Sequence, residues 1–277
     1  MPDQPFADIE NQLFAASDGR MRVLGIRRTG QHAVINWILR NCGRKDTLFL
    51  NSCTMRRSAM RTCGQSELNG RFSGKGYPLK KAVEAYLTPE THPFVLISYE
   101  AGFQEGELTP NFPDADFNRE ILVTRSFVNW LPSFIRLMRL MNQGSAPEAL
   151  DISNGIMFEM MRYKAHLLAA KTSSHVVICF DKWATSGAYR SEKLAQLGLI
   201  EVDAGLGTLQ QYGGGSSFSA FKMPAEELAL TARWQTMTDD PYALHFLRIA
   251  QADTAFMEVL AALYPDDIPI MNQLAQT

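Results

Sequence analysis

Two short segments of the chain carry the residue types that bind phosphate. The first, RVLGIRRTGQHAVINWILR over residues 22–40, has the pattern of an apolar strand, a turn of small and polar residues, and the start of a helix. The N–H groups of such a turn point into one concavity, and the dipole of the following helix favours an anion there. We therefore predict an anion site formed by Arg27, Arg28, Thr29, Gly30, Gln31 and His32.

The glycines of this segment have the spacing of a nucleoside-triphosphate P-loop, with Gly25 and Gly30 at the two glycine positions. In a P-loop the second glycine is followed by Lys and then Ser or Thr, which bind the β- and γ-phosphates and Mg²⁺. Gln31 and His32 stand at those positions, so the metal-binding hydroxyl is missing. The segment is suited to holding a phosphate but poorly equipped for ATP hydrolysis.

The second segment, EILVTRSFVNWLPSFIR over residues 120–136, repeats the strand-to-helix pattern. Arg125 follows the apolar strand, and Ser133 lies eight residues later, about two turns along the next helix. Arginine offers a planar fork of donors to a phosphate, and serine adds a hydroxyl donor. The pair is a candidate for a second anion site.

Together the two segments resemble the sulfotransferases that use 3′-phosphoadenosine 5′-phosphosulfate (PAPS) as sulfuryl donor. The run from Arg28 to His32 is similar to the family's 5′-phosphosulfate loop, and Arg125 with Ser133 is similar to its 3′-phosphate site. The resemblance implies a P-loop NTPase-like fold, PAPS as donor, 3′,5′-ADP as product and no metal ion. It also sets Arg28 at the place of the family's catalytic lysine.

Other features of the family are matched more loosely. The family has a late glycine-rich loop on the 3′-phosphate, for which YGGGSSF over residues 212–218 is the candidate, with Gly214, Ser216 and Ser217 as binding residues. The tryptophan that stacks on adenine in the cytosolic enzymes is replaced by Ala33. The stacking ring must then come from Trp183, Phe218 or Phe221.

The base that takes the acceptor proton has three candidates. Glu100 follows the apolar run FVLIS over residues 94–98 and is the leading one, because it lies at the end of a predicted buried strand. His32 lies inside the first anion loop, and His92 precedes the strand. The resemblance allows either a histidine or a glutamate in this role.

Composition restricts the function classes. The chain of 277 residues is 46% hydrophobic and 20% charged with a net charge of −2, so no basic field indicates nucleic acid or a membrane surface. It has no apolar stretch of the ~20 residues needed to span a bilayer and no secretory signal pattern. The four cysteines form no C-x-x-C pair, which is typical of reduced thiols in the cytoplasm. We expect a cytoplasmic enzyme similar to the soluble, bacterial-type sulfotransferases.

Five apolar runs alternating with helical patterns predict an α/β fold, with a parallel sheet flanked by helices on both faces in one domain over residues 1–277. Ligands bind at the carboxyl ends of such strands, where Gly25–His32, Glu100, Arg125 and Asp181 fall. Residues 51–78 are predicted to be a long loop, 225–238 and 241–263 two helices, and the last dozen residues a tail. The methionines of the helix predicted over residues 152–171 are expected in the core.

Three functions follow as alternatives. The first is transfer of a sulfuryl group from PAPS to a hydroxyl or amine of a small molecule, glycan or lipid. The second is a nucleotide kinase or NTPase of the same superfold, and the third is a protein that binds a 3′-phosphonucleotide without catalysis. The sequence indicates neither the identity of the acceptor nor the oligomeric state.

Overall fold

A computed structural model describes residues 4–103, 108, 117–144, 148–207 and 230–275. Its centre is a seven-stranded sheet in the order β4-β3-β2-β5-β1-β6-β7. The strands are β1 Gly19–Gly25, β2 Thr47–Asn51, β3 Gln65–Leu68, β4 Arg71–Phe72, β5 Phe94–Tyr99, β6 Arg119–Thr124 and β7 Val176–Cys179. The five strands from β2 to β7 in this order are parallel, and β3 and β4 add an antiparallel hairpin at one edge.

Helices cover both faces of the sheet. In the described ranges they are α1 Gln4–Ala16, α2 Gln31–Asn41, α3 Ala59–Thr62, α4 Tyr77–Tyr86, α5 Phe127–Met141, α6 Glu148–Thr172, α7 Phe180–Thr185, α8 Gly187–Leu197, α9 Pro241–Ala252, α10 Thr254–Leu263 and α11 Asp267–Ala275, with a 3-10 helix at Arg233–Thr236. None of these described helices combines the length and the hydrophobicity needed to cross a bilayer.

The strands that the sequence predicted form the parallel part of the sheet, so the α/β class is confirmed. In β1, β2, β5 and β6 runs of residues are buried because helices cover both faces, as expected for parallel strands. β7, at the edge of the sheet, is buried only in its last two residues. One apolar cluster packs α1, α3 and α4 on one face, and a second packs α2, α7 and α8 on the other. A third joins α5 and α6 to the C-terminal helices.

The prediction of one long loop over residues 51–78 is wrong. The segment contains α3 and the β3–β4 hairpin, which extends the sheet beyond β2. Ser66 and Cys63 are buried, and β3 pairs with β2 from Leu48↔Leu68 to Asn51↔Gln65. Pairing with β2 gives the hairpin a defined structure, which its polar sequence alone does not indicate.

Three expectations for the C-terminal part also need correction. Within 225–238 the described residues start at 230 and hold a 3-10 helix, not an α-helix. The predicted helix over 241–263 is two helices, because Asp253 ends α9 and caps α10 with its side chain. The predicted tail contains α11, which buries Met271 and Leu274.

The methionines of α6 are not all in the core. Met160 is buried, as predicted, whereas Met157 and Met161 are exposed. The helix is apolar on its buried face and again on part of its outer face, which a single-face interpretation of the sequence missed.

Candidate functional site

The first anion loop joins β1 to α2 through a left-handed turn. Gly30 precedes the helix with φ 85°. The N–H of Thr29 donates to the carbonyl of Ile26 at 3.1 Å, and its hydroxyl donates to the same oxygen at 2.8 Å. Both donors of Thr29 are therefore used inside the loop, contrary to the prediction that its backbone N–H binds the anion. The first-turn N–H groups at Gln31 and His32 have no carbonyl a turn earlier in the helix to bond to, and they form the donor end of α2.

Gly30 is required at its position for two reasons. Its positive φ disfavours any side chain, and a Cβ there would collide with the ring of Phe180. That ring is held by stacking on Trp183 at 5.6 Å and by the Arg125 guanidinium at 5.1 Å. We expect Gly30→Ala to lower the free energy of unfolding by about 3 kcal/mol, the sum of left-handed strain and overpacking.

Gly43→Ala is the matched control for this prediction. Gly43 also has a positive φ, of 66°, but a Cβ there meets no atom within 4 Å. Urea unfolding of both variants should give about 1 kcal/mol for Gly43→Ala, the strain alone. Equal losses in the two variants would contradict the collision with Phe180.

The two arginines of the loop have different surroundings. Arg28 has φ 74°, a strained value for a residue with a side chain. Burial lowers the pKa of its guanidinium. The negative charge of Glu100 opposes this effect, and the positive charge of Arg136 lowers the pKa further. The Nε of Arg27 instead lies 3.6 Å from a carboxylate oxygen of the buried Glu159. Arg28 therefore belongs to the site, while Arg27 is directed towards α6.

The predicted second anion site is assembled at the carboxyl end of β6. Nη1 of Arg125 lies 3.4 Å from Oγ of Ser133, and Nη1 of Arg233 donates to that oxygen at 2.7 Å. Arg125 also donates to the carbonyls of Arg28 at 3.0 Å and Leu230 at 2.7 Å. The same guanidinium thus links the two predicted sites to each other and to the chain around residue 230.

The cluster carries more positive than negative charge. Burial lowers the pKa of Arg233, and the nearby charges of Arg125 and Arg28 lower it further. Burial also lowers the pKa of Arg125 to about 10, an effect that Asp181 opposes. Arg136 adds to the repulsion on both Arg28 and Arg233. An anion bound among these guanidinium groups would relieve this mutual repulsion.

The candidate bases Glu100 and His32 meet at the carboxyl ends of β5 and β2. Gln31 donates to Oε1 of Glu100 at 3.0 Å, and Nε2 of His32 lies 3.6 Å from the same oxygen. Nε2 of His32 is 2.9 Å from Oδ1 of Asn51, which also accepts from the Ser98 hydroxyl at 3.0 Å. Because Oδ1 is an acceptor, the proton of this pairing belongs on Nε2.

The third candidate base does not reach this group. His92 precedes β5 at its amino end, and its Nδ1 lies 3.2 Å from the carbonyl of Ala16. Six residues of extended strand separate the two ends of β5, about 20 Å. Geometry therefore removes His92 from the site.

Two carboxylates, of the buried Asp267 and the half-buried Asp181, hold the start of α5 in place. Asp267 accepts from the Ser126 hydroxyl and the Phe127 N–H, both at 2.6 Å. Asp181 accepts from the Ser126 N–H at 2.7 Å and from the Asn129 amide at 3.1 Å. The first turn of α5 is thereby anchored, which fixes the helix that carries Ser133.

The remaining candidates divide into two groups. Gly214, Ser216 and Ser217, and with them the stacking candidates Phe218 and Phe221, lie outside the described residues. Trp183 is buried, where it packs edge-on against Trp37 at 6.0 Å. It cannot stack on a bound base, so that expectation is wrong.

Sequence reasoning missed four residues of the site. Asn51 is the last residue of β2, so the rule that selected strand ends could have found it. Arg136 lies about one turn beyond Ser133 on α5, and this spacing could have identified it as a residue on the same side of the helix. Arg233 and Asp267 reach the cluster from distant segments, and nothing local in the sequence marks them.

Comparisons with known proteins add nothing to this geometry. No protein-family model, curated protein or solved structure matches the chain.

Proposed function

We propose that the protein is a sulfotransferase that moves a sulfuryl group from PAPS to a hydroxyl or amine acceptor, with a P-loop NTPase-like fold. The observation that carries the proposal is the convergence of Arg125, Ser133 and Arg233 beside the loop that bears Arg28. PAPS has a 5′-phosphosulfate and a 3′-phosphate, and the cluster offers donors for two anionic groups. The donor end of α2 supports the first, and the serine with two guanidinium groups supports the second.

The chemical step assigns a role to each group. The acceptor oxygen or nitrogen attacks sulfur, the bond from sulfur to the phosphate oxygen breaks, and 3′,5′-ADP leaves. Negative charge builds on that oxygen, where the Arg28 guanidinium stabilises it by electrostatics, since arginine does not give up its proton. Glu100 or His32 takes the acceptor proton.

A kinase or NTPase is less well supported by the same residues. Gln31 stands where the P-loop lysine would, and its side chain is buried and bonded to Glu100. His32, at the metal-binding hydroxyl position, faces Asn51 and Glu100. Neither arrangement supplies a cation for the γ-phosphate or a hydroxyl for Mg²⁺.

Isothermal titration with 3′,5′-ADP tests the proposal before any acceptor is known. We expect wild-type protein to bind in the micromolar range, and Arg233→Gln and Ser133→Ala to weaken binding by at least about tenfold. Arg233→Gln removes a charged donor. Ser133→Ala removes the oxygen to which that guanidinium donates, whereas the serine hydroxyl itself donates to the Asn129 carbonyl at 2.9 Å. Ser133→Ala changes one oxygen and leaves the guanidinium groups in place.

Arg119→Gln is the control for charge. It removes a guanidinium at the amino end of β6, six residues before Arg125 and so about 20 Å from the cluster. Its affinity should equal that of the wild type. A folded wild-type protein that binds neither 3′,5′-ADP nor PAPS would overturn the proposal, and Mg²⁺-dependent ATP turnover would favour the kinase.

A further inference from the structure

The outer face of α6 is apolar and exposed along most of its length. Phe158 is 61% exposed and Met161 66%, and Leu168 and Met157 are exposed as well. The opposite face carries Ile156, Tyr163 and Leu167 and is fully buried against the core. A long helix with apolar residues on both faces has one face that the described part of the chain leaves uncovered.

Six of the exposed residues follow a heptad pattern. Their spacing alternates between four and three positions over residues 154–172, the repeat by which two helices pack along a common seam. The interval is about 27 Å of helix. The seam consists of Asn154, Phe158, Met161, Ala165, Leu168 and Thr172, and all six side chains are exposed.

We propose that this seam is the interface of a homodimer, in which α6 packs antiparallel against α6 of a second copy across a two-fold axis. Each heptad contributes two residues to the seam. In antiparallel packing the first of these two residues contacts the second seam residue of a heptad in the other chain. Phe158 then lies opposite Leu168 of the second copy, and Met161 opposite its Ala165. Large residues thereby face smaller ones.

Charge at the ends of the seam favours a second copy over another occupant. Asp151 is exposed near the N-terminal end of α6, and Lys171 is exposed near its C-terminal end. Reversal of one helix brings the acidic end of each copy towards the basic end of the other. The surface is therefore complementary to itself in the antiparallel direction, while a parallel pair would set like charges together. The proposal does not depend on the proposed function.

Sedimentation equilibrium over roughly 1–200 µM protein tests the seam. We expect a reversible dimer of modest affinity, because one helix pair buries less area than a standard interface. Phe158→Glu and Met161→Lys should each raise the dissociation constant at least about tenfold, since they place a charge in the apolar contact. Both side chains are exposed, so the monomer fold should be kept. Ile200→Lys, at a residue 80% exposed outside the seam, should leave the dimer unchanged.

Charge reversal tests the direction of packing. Asp151→Lys and Lys171→Asp should each weaken the dimer by about threefold, and the double variant should regain the wild-type dissociation constant. A wild-type protein that is monomeric at the highest concentration would overturn the proposal, as would a dimer insensitive to Phe158→Glu. Failure of the double variant to recover would overturn the antiparallel arrangement.

Discussion

Replacement of Arg28 by glycine should lower the proposed turnover by about a hundred- to a thousandfold and give a variant about 1 kcal/mol more stable to unfolding than Arg28→Ala. The loss follows because the substitution removes the guanidinium that we propose stabilises the leaving oxygen. The gain follows because φ is 74° at this position, which glycine adopts without strain. Release of 3′,5′-ADP from PAPS measures the turnover, and urea unfolding measures the free energy of unfolding.

Arg28→Ala and Arg28→Lys separate the two causes. The alanine variant keeps a Cβ at the strained φ, so it should lose turnover without gaining stability. The lysine variant keeps a cation and should retain more turnover than the glycine or the alanine variant. If Arg28→Gly were no more stable than Arg28→Ala, the strained backbone would have no energetic cost, and the idea that function maintains an arginine there would lose its support.

Replacement of Asp267 by asparagine should remove a large pH dependence of stability. Burial raises the pKa of the Asp267 carboxyl from 3.8 to about 7, although hydrogen bonds from Ser126 and Phe127 favour the ionised form. The folded protein keeps this proton up to about pH 7, whereas the unfolded chain loses it near pH 4. The stability from the protonated group is therefore complete below about pH 4, falls as the pH rises towards 7, and is lost above 7.

The size of the effect follows from the gap between the two pKa values. Between pH 5 and pH 8 the wild-type free energy of unfolding should fall by about 3 kcal/mol through this group, and Asp267→Asn should not show that fall. Urea unfolding at the two pH values measures it. Asp266→Asn, at the exposed neighbouring carboxyl, should keep the wild-type pH dependence. An identical dependence in Asp267→Asn would show that Asp267 ionises normally in the folded state.

The parallel sheet was predictable because its strands are buried on both faces. Runs such as FVLIS at residues 94–98 are almost entirely apolar, which indicates that both faces of the strand are buried. The β3–β4 hairpin was missed because its order comes from pairing with β2, and its residues are polar. Similarly, α11 was interpreted as a tail because its helix is short, although Met271 and Leu274, three positions apart, are buried.

The position of the candidate residues was predictable where they follow strands in sequence. Arg125 and Glu100 could be assigned to the carboxyl edge of the sheet because each comes directly after a buried strand. Arg233 contacts Ser133 across 100 residues, and Asp267 contacts Phe127 across 140. Contacts at that separation depend on how the helices pack, which the local pattern of one sequence does not contain.

The contact between Asp267 and the start of α5 also has a consequence for synthesis of the chain on the ribosome. At about 5–20 residues per second, the 140 residues between the two partners take roughly 7–28 s to be made. During that time the sheet strands up to β6 are available to pair, but Ser126 and Phe127 must bond to water or to a transient partner. The helix that carries Ser133 can reach its final anchoring only after translation of residue 267. Nascent chains stalled before that point should therefore hold a folded sheet and an unfinished candidate site at its carboxyl edge.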